Sequence, residues 1–81
     1  MRIPLKNMFD PSPVSRSQAK QVCNQLNGFQ KVEFDFDEVS WMGQGFAHQI
    51  FVVFQNKHPE MKLIPINMNE SVEKMYRHAT A

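Results

Sequence analysis

Apolar and polar positions alternate along Lys31 to Asp37, with Val32, Phe34 and Phe36 on one side and Glu33, Asp35 and Asp37 on the other. A period of two with β-branched and aromatic residues on one side predicts a strand with one buried and one wet face. The stretch after it, Phe46, Ala47, Ile50, Phe51, Val52, Val53 and Phe54, is too apolar for a surface helix and predicts the central packing helix. Trp41-Met42 and Gly43-Gln44-Gly45 join the two. The helix carries more apolar surface than a two-layer fold covers, which makes Phe51 and Val52 candidates for a dimer or partner surface.

Arg2 to Lys6 reads as a short extended segment, and its Pro4 places it on a sheet edge. Asp10-Pro11-Ser12-Pro13 signals a turn. Ser15 with Gln18 forms a capping-box pattern, and Ala19, Val22, Cys23 and Leu26 then share one helix face, closed by Asn27-Gly28. His58-Pro59 ends the central helix. Met61 to Asn67 predicts a third strand, with Pro65 marking a second edge. Asn67 or Asn69 caps a last helix on which Val72, Met75, Tyr76 and Ala79 align, with Glu70 and Glu73 early and Arg77 and His78 late, as the helix dipole favours.

The order is therefore βαβαβα. Long strand–helix–strand connections imply parallel strands and right-handed crossovers. Prolines in the outer strands put the middle one at the centre, giving order 1-2-3. The expected fold is α/β and two-layered, with a three-stranded, mainly parallel sheet and all helices on one face. Helices on both faces would bury Glu33 and Asp35 without partners. The other face is expected to be open and acidic.

At 81 residues, the chain is expected to be a single domain with a limited core. Nine basic and eight acidic residues nearly balance, which argues against a general nucleic-acid binder. Cys23 has no disulfide partner and reads as a small buried hydrophobe. His48, His58 and His78 are scattered and lack thiol partners, so no zinc site is expected. The start, MRIPLKNMF, lacks a signal-peptide core, and no run reaches the roughly 20 apolar residues of a membrane span. A cytoplasmic protein, without membrane attachment or cofactor, is the expectation.

Three features carry candidate chemistry. Asp35, Asp37 and Glu38 could hold magnesium or act as acid and base, but a charged strand end running into solvent accounts for them as well, and no other ligand-rich motif converges there. Gly43-Gln44-Gly45 at a helix start could cradle a phosphate, yet His48 stands where a dinucleotide fingerprint needs its third glycine. The plainer reading is a tight turn that lets the helix sit close on the sheet. His48 and Gln49 interrupt an apolar helix without a nucleophile at a recognisable spacing.

SRSQAK, VEFDFDEVSWMGQGFAHQIFVVF and HPEMKLIPINMNESVEKM together resemble the bacterial STAS-like domain family of unknown function, over about residues 3 to 79. More distantly, the chain is similar to the anti-sigma factor antagonists. Gly43, Gln44 and Gly45 stand where those carry the Asp-Ser-Ser of a phosphorylation motif, so a phosphoserine switch has no acceptor at that site. The resemblance implies a regulatory, non-enzymatic module that docks a protein through the strand–loop–helix junction, with a histidine-kinase-type ATPase as one partner class. The contact residues expected are Asp37, Glu38, Ser40, Trp41, Gly43, Gln44, Gly45, His48 and Gln49. Rival readings are a small inhibitor encoded by a phage or mobile element, and an enzyme binding nucleotide or metal through the carboxylates. A homodimer through an exposed edge strand fits either binding role.

Overall fold

A computed structural model describes residues 1–6, 8, 13–26 and 28–81. Three strands, β1 (Arg2–Pro4), β2 (Lys31–Asp35) and β3 (Lys62–Ile66), form a parallel sheet in the order β1-β2-β3. Helix α1 (Arg16–Cys23) links the first two strands. A rod over residues 44–57 links the second and third, and α4 (Glu70–Thr80) closes the fold. The rod consists of α2 (Gln44–His48), a π-helical stretch (Gln49–Phe54) and α3 (Gln55–Lys57). The βαβαβα order, the central β2 and the two-layer arrangement agree with the expectation from sequence.

The alternation in β2 does what its period dictates. Val32 and Phe34 are fully buried, while Glu33 and Asp35 stay half-buried on the other face. Phe34, Phe36, Phe46, Ile50 and Val72 meet in one core between the sheet and the helices. Phe51 also belongs there, and this corrects its assignment to an outer surface. Its ring lies edge-on to Phe34 at 5.5 Å and to Tyr76 at 4.9 Å, so the sheet and α4 cover it from two sides. Val52 remains half-buried.

The edges are blunted by geometry as well as by composition. Lys62 N donates to Gln30 O and Leu5 N donates to Asp35 O, both inward toward β2. Alternation then aims the backbone nitrogens of Pro65 and Pro4 outward. Each outer edge thus lacks a donor where a further strand would need one.

Caps fix the helix ends. Ser15 and Gln18 form the expected capping box: Gln18 N donates to Ser15 Oγ, and Gln18 Oε1 accepts from Ser15 N. Asn69, not Asn67, caps α4, accepting from Val72 N at 2.8 Å. Its Nδ2 also donates to Val39 O and Ser40 O, tying the loop after β2 to the last helix. Gln55 Nε2 donates to His58 O and Met61 O, which joins the end of the rod to β3. Helix α1 ends earlier than the expected Asn27-Gly28 cap: its C-cap is Asn24, with φ −61°, whose N–H donates to Lys20 O, and Gly28, at φ +87°, lies in the connection beyond it. Asn27 and residues 10–12 of the expected turn lie outside the described residues.

The start of the rod departs from the simple picture of a glycine turn packed on the sheet. Gly43 N donates to Pro13 O at 2.9 Å, and Phe46 N donates to Val14 O at 3.2 Å. A β-carbon on Gly43 would lie 2.3 Å from Val14 O, which is why this position has none. The glycine serves the close approach of another backbone segment, not a bend. A β-carbon on Gly45 would meet nothing nearer than 3.5 Å.

The two glycines therefore respond oppositely to substitution. Gly43→Ala is expected to cost at least ~2 kcal/mol, because backbone must move and its hydrogen bond to Pro13 stretches. Gly45→Ala, inside the helix, is expected to be neutral or to gain up to about 1 kcal/mol. Urea unfolding of both variants checks this. Burial pushes the Cys23 thiol up from 9.0 to about 11. Between those values the unfolded chain has lost a proton that the folded one keeps, so this contribution is full below pH 9 and lost as pH rises toward about 11. Unfolding curves across that range should show a fall in stability that is smaller in Cys23→Ala.

Candidate functional site

The junction between β2 and the rod begins where the sheet ends. Phe36 N still donates to Ile66 O, after which the chain turns at Asp37 and Glu38. Asp35 Oδ1 accepts from Asp37 N at 2.9 Å and from Asn67 Nδ2 at 3.0 Å. Asn67, through that bond, and Asp37 N–H hold the Asp35 carboxyl below the usual carboxylate range. Glu38 adopts φ +63° in the turn after β2 and Asn67 φ +57° directly after β3, so each of these neighbouring strands is followed by a left-handed residue, and both residues line the same groove. Asparagine takes this conformation readily; glutamate does so at a steric cost. Lys6 Nζ reaches Glu38 Oε2 at 2.7 Å, and that contact raises the lysine pKa. The Asp35 and Glu38 carboxylates are thus already engaged, with a lysine, an asparagine and a backbone amide. Among the described residues, no group of three or more His, Cys, Asp or Glu side chains could hold a metal ion.

The nine residues expected from sequence do not form one patch. Asp37, Glu38 and Ser40 are exposed and border a groove completed by Asn67 and Asn69. Trp41 is 43% exposed and stands over a second, more apolar groove. Met42 and Met75 line it, with Lys74 and His78 on its α4 side. Gln44, Gly45 and His48 face a third hollow together with Arg16. Gln49 is half-buried, and Gly43 is buried against the 13–14 segment. The glycine-rich start of the rod is a poor phosphate cradle, because the amides of Gly43 and Phe46 already serve Pro13 and Val14.

His48 is half-buried, and its Nδ1 is fully buried with no hydrogen-bond partner among the described residues. A buried polar atom without a partner costs stability. Arg16, Asn67, Asn69, Lys74, Met75 and His78 also border these grooves, and sequence reading singled out none of them for a site. Asn67 and Asn69 carried local signals, the first as an asparagine just past a strand, where left-handed backbone is common, and the second as a helix cap. No helix is long and apolar enough to cross a membrane among the described residues.

A search of curated proteins and of solved structures returns no match. A family model described as "STAS-like domain of unknown function (DUF4325)" matches residues 18–73, from the first helix to the start of the last. That span holds β2, the junction, the rod and β3, and the chain therefore belongs to the family of STAS-like domains of unknown function.

Proposed function

We propose that this STAS-like domain is a regulatory protein-interaction module without catalytic activity, which docks a protein partner through the junction from Asp37 to Gln49. The observation that carries this reading is Trp41. A large aromatic side chain is left 43% exposed while its neighbour Met42 is fully buried and fixes the backbone beneath it. Polar Glu70, Ser71, Lys74 and His78 border the groove it stands over, all of them exposed. An aromatic anchor within a polar rim is the usual anatomy of a protein interface. The anchor is also rigidly mounted: Asn69 holds the carbonyls of Val39 and Ser40 on one side, and Pro13 holds Gly43 on the other. Preorganisation of this kind lowers the entropy lost on binding.

The family resemblance makes a histidine-kinase-type ATPase the partner class to test first. No hydroxyl stands at the start of the rod, where the residues are Gly43, Gln44 and Gly45, so control by phosphorylation at that position is not part of the proposal. The site accounts for partner binding without nucleotide or magnesium, and calorimetric titration with both should give no heat.

Two substitutions test the reading. Against a purified histidine-kinase-type ATPase domain from the same source, or a partner captured from its lysate, Trp41→Ala should weaken binding at least ~10-fold. Its folding stability should stay within ~1.5 kcal/mol of the parent, since the side chain is half in solvent. Unchanged binding in that variant would remove Trp41 as the anchor. His48→Leu should raise stability by about 1 kcal/mol, because it deletes the unpartnered buried nitrogen. A loss of binding in this more stable variant would place the imidazole in the contact; a loss of stability would make His48 structural.

A further inference from the structure

The uncovered face of the sheet carries an inference independent of the junction. Register places Arg2, Glu33 and Ile64 in one row across the three strands, and Pro4, Asp35 and Ile66 in the next, with Lys31 beside Lys62 at the other end. Arg2 Nε lies 3.5 Å from Glu33 Oε1, which confirms that the first row shares a face. The face is therefore not simply acidic, as β2 alone implied. It has a cationic end at Lys31 and Lys62, a neutralised middle, an apolar strip at Ile64 and Ile66, and an anionic end at Asp35 followed by Asp37.

We infer that this face stacks on the same face of a second copy of the chain, with the two sheets antiparallel across a two-fold axis. Three observations support that occupant. All-parallel sheets occur almost only with both faces covered, and here the helices cover one. The outward nitrogens of Pro4 and Pro65 blunt both edges, so self-association by strand addition is disfavoured and the face is what remains. The charge pattern is also self-complementary. With a two-fold axis through the Arg2–Glu33–Ile64 row, Lys31 of one copy meets Asp35 of its partner, twice. Arg2, Glu33 and Ile64 each meet their own equivalents, the first two already neutralised by their ion pair within each copy, and Lys62 lies over the end that bears Ile66. A stack with the strands parallel would bring like ends together and is disfavoured by the same charges.

The size of the face sets the strength. Three strands about 4.8 Å apart and five residues at about 3.3 Å each give a patch of roughly 15 by 17 Å. Stacking two such patches removes on the order of 500 Å² in total, well below the usual range for stable complexes, so the dimer is weak and reversible.

Sedimentation equilibrium of the full chain from about 10 μM to about 1 mM tests the proposal, at low and at high salt. The expected result is a monomer–dimer equilibrium that weakens with salt. Lys31→Glu and Ile64→Lys should each weaken it at least ~10-fold while the monomer melts as before. Lys31→Glu combined with Asp35→Lys, which exchanges the paired charges, should recover most of the affinity. A chain that stays monomeric at 1 mM would overturn the proposal, as would a dimer that neither single variant weakens. So would a face whose amides become protected from exchange only when a different protein is added.

Discussion

Two hydrogen bonds hold the architecture in register: Gly43 N to Pro13 O and Phe46 N to Val14 O. They join residues some thirty positions apart and use donors that a helix start cannot satisfy from within. Because Val14 O sits where a Gly43 side chain would begin, the segment before α1 closes directly on the start of the rod. The capping box at Ser15 follows immediately, so one short stretch, 13–18, ends one backbone contact and begins a helix. The position of α1 against the rod, and with it the presentation of Trp41, depends on that contact.

Much of the fold was legible because its signals are periodic. Alternation in β2 set the buried face, the i, i+3, i+4 and i+7 spacing set α1 and α4, and prolines at Pro4 and Pro65 set the strand order. What escaped depends on distant partners. Nothing near Gly43 announces Val14. The apolar excess of the rod pointed to Phe51 as a surface residue only because Tyr76, from the last helix, could not be seen to cover it. The open face looked acidic because Arg2, Lys62 and Ile64 join it only once register is known.

The candidate site was legible as a region but not as a surface. Strand, loop and helix start were placed correctly, yet their residues divide among three grooves, each completed by side chains from elsewhere: Asn67 and Asn69, Met75 and Lys74, or Arg16. The local sequence says which residues are polar; only the tertiary fold says which neighbours they share. His48 illustrates this. In sequence it is a polar interruption, and in the fold it has one nitrogen enclosed and unmet among the described residues.

The π-helical stretch at Gln49–Phe54 has a consequence for reading related chains. A turn bonded five residues apart holds one more residue than an ordinary helical turn. Removing that surplus residue would let the turn tighten while Phe46 and Ala47 before it, and Gln55 after it, keep their contacts. A one-residue gap at this point in an alignment would therefore record a change of pitch within a continuous rod, at a place where length variation is usually taken to mark a loop.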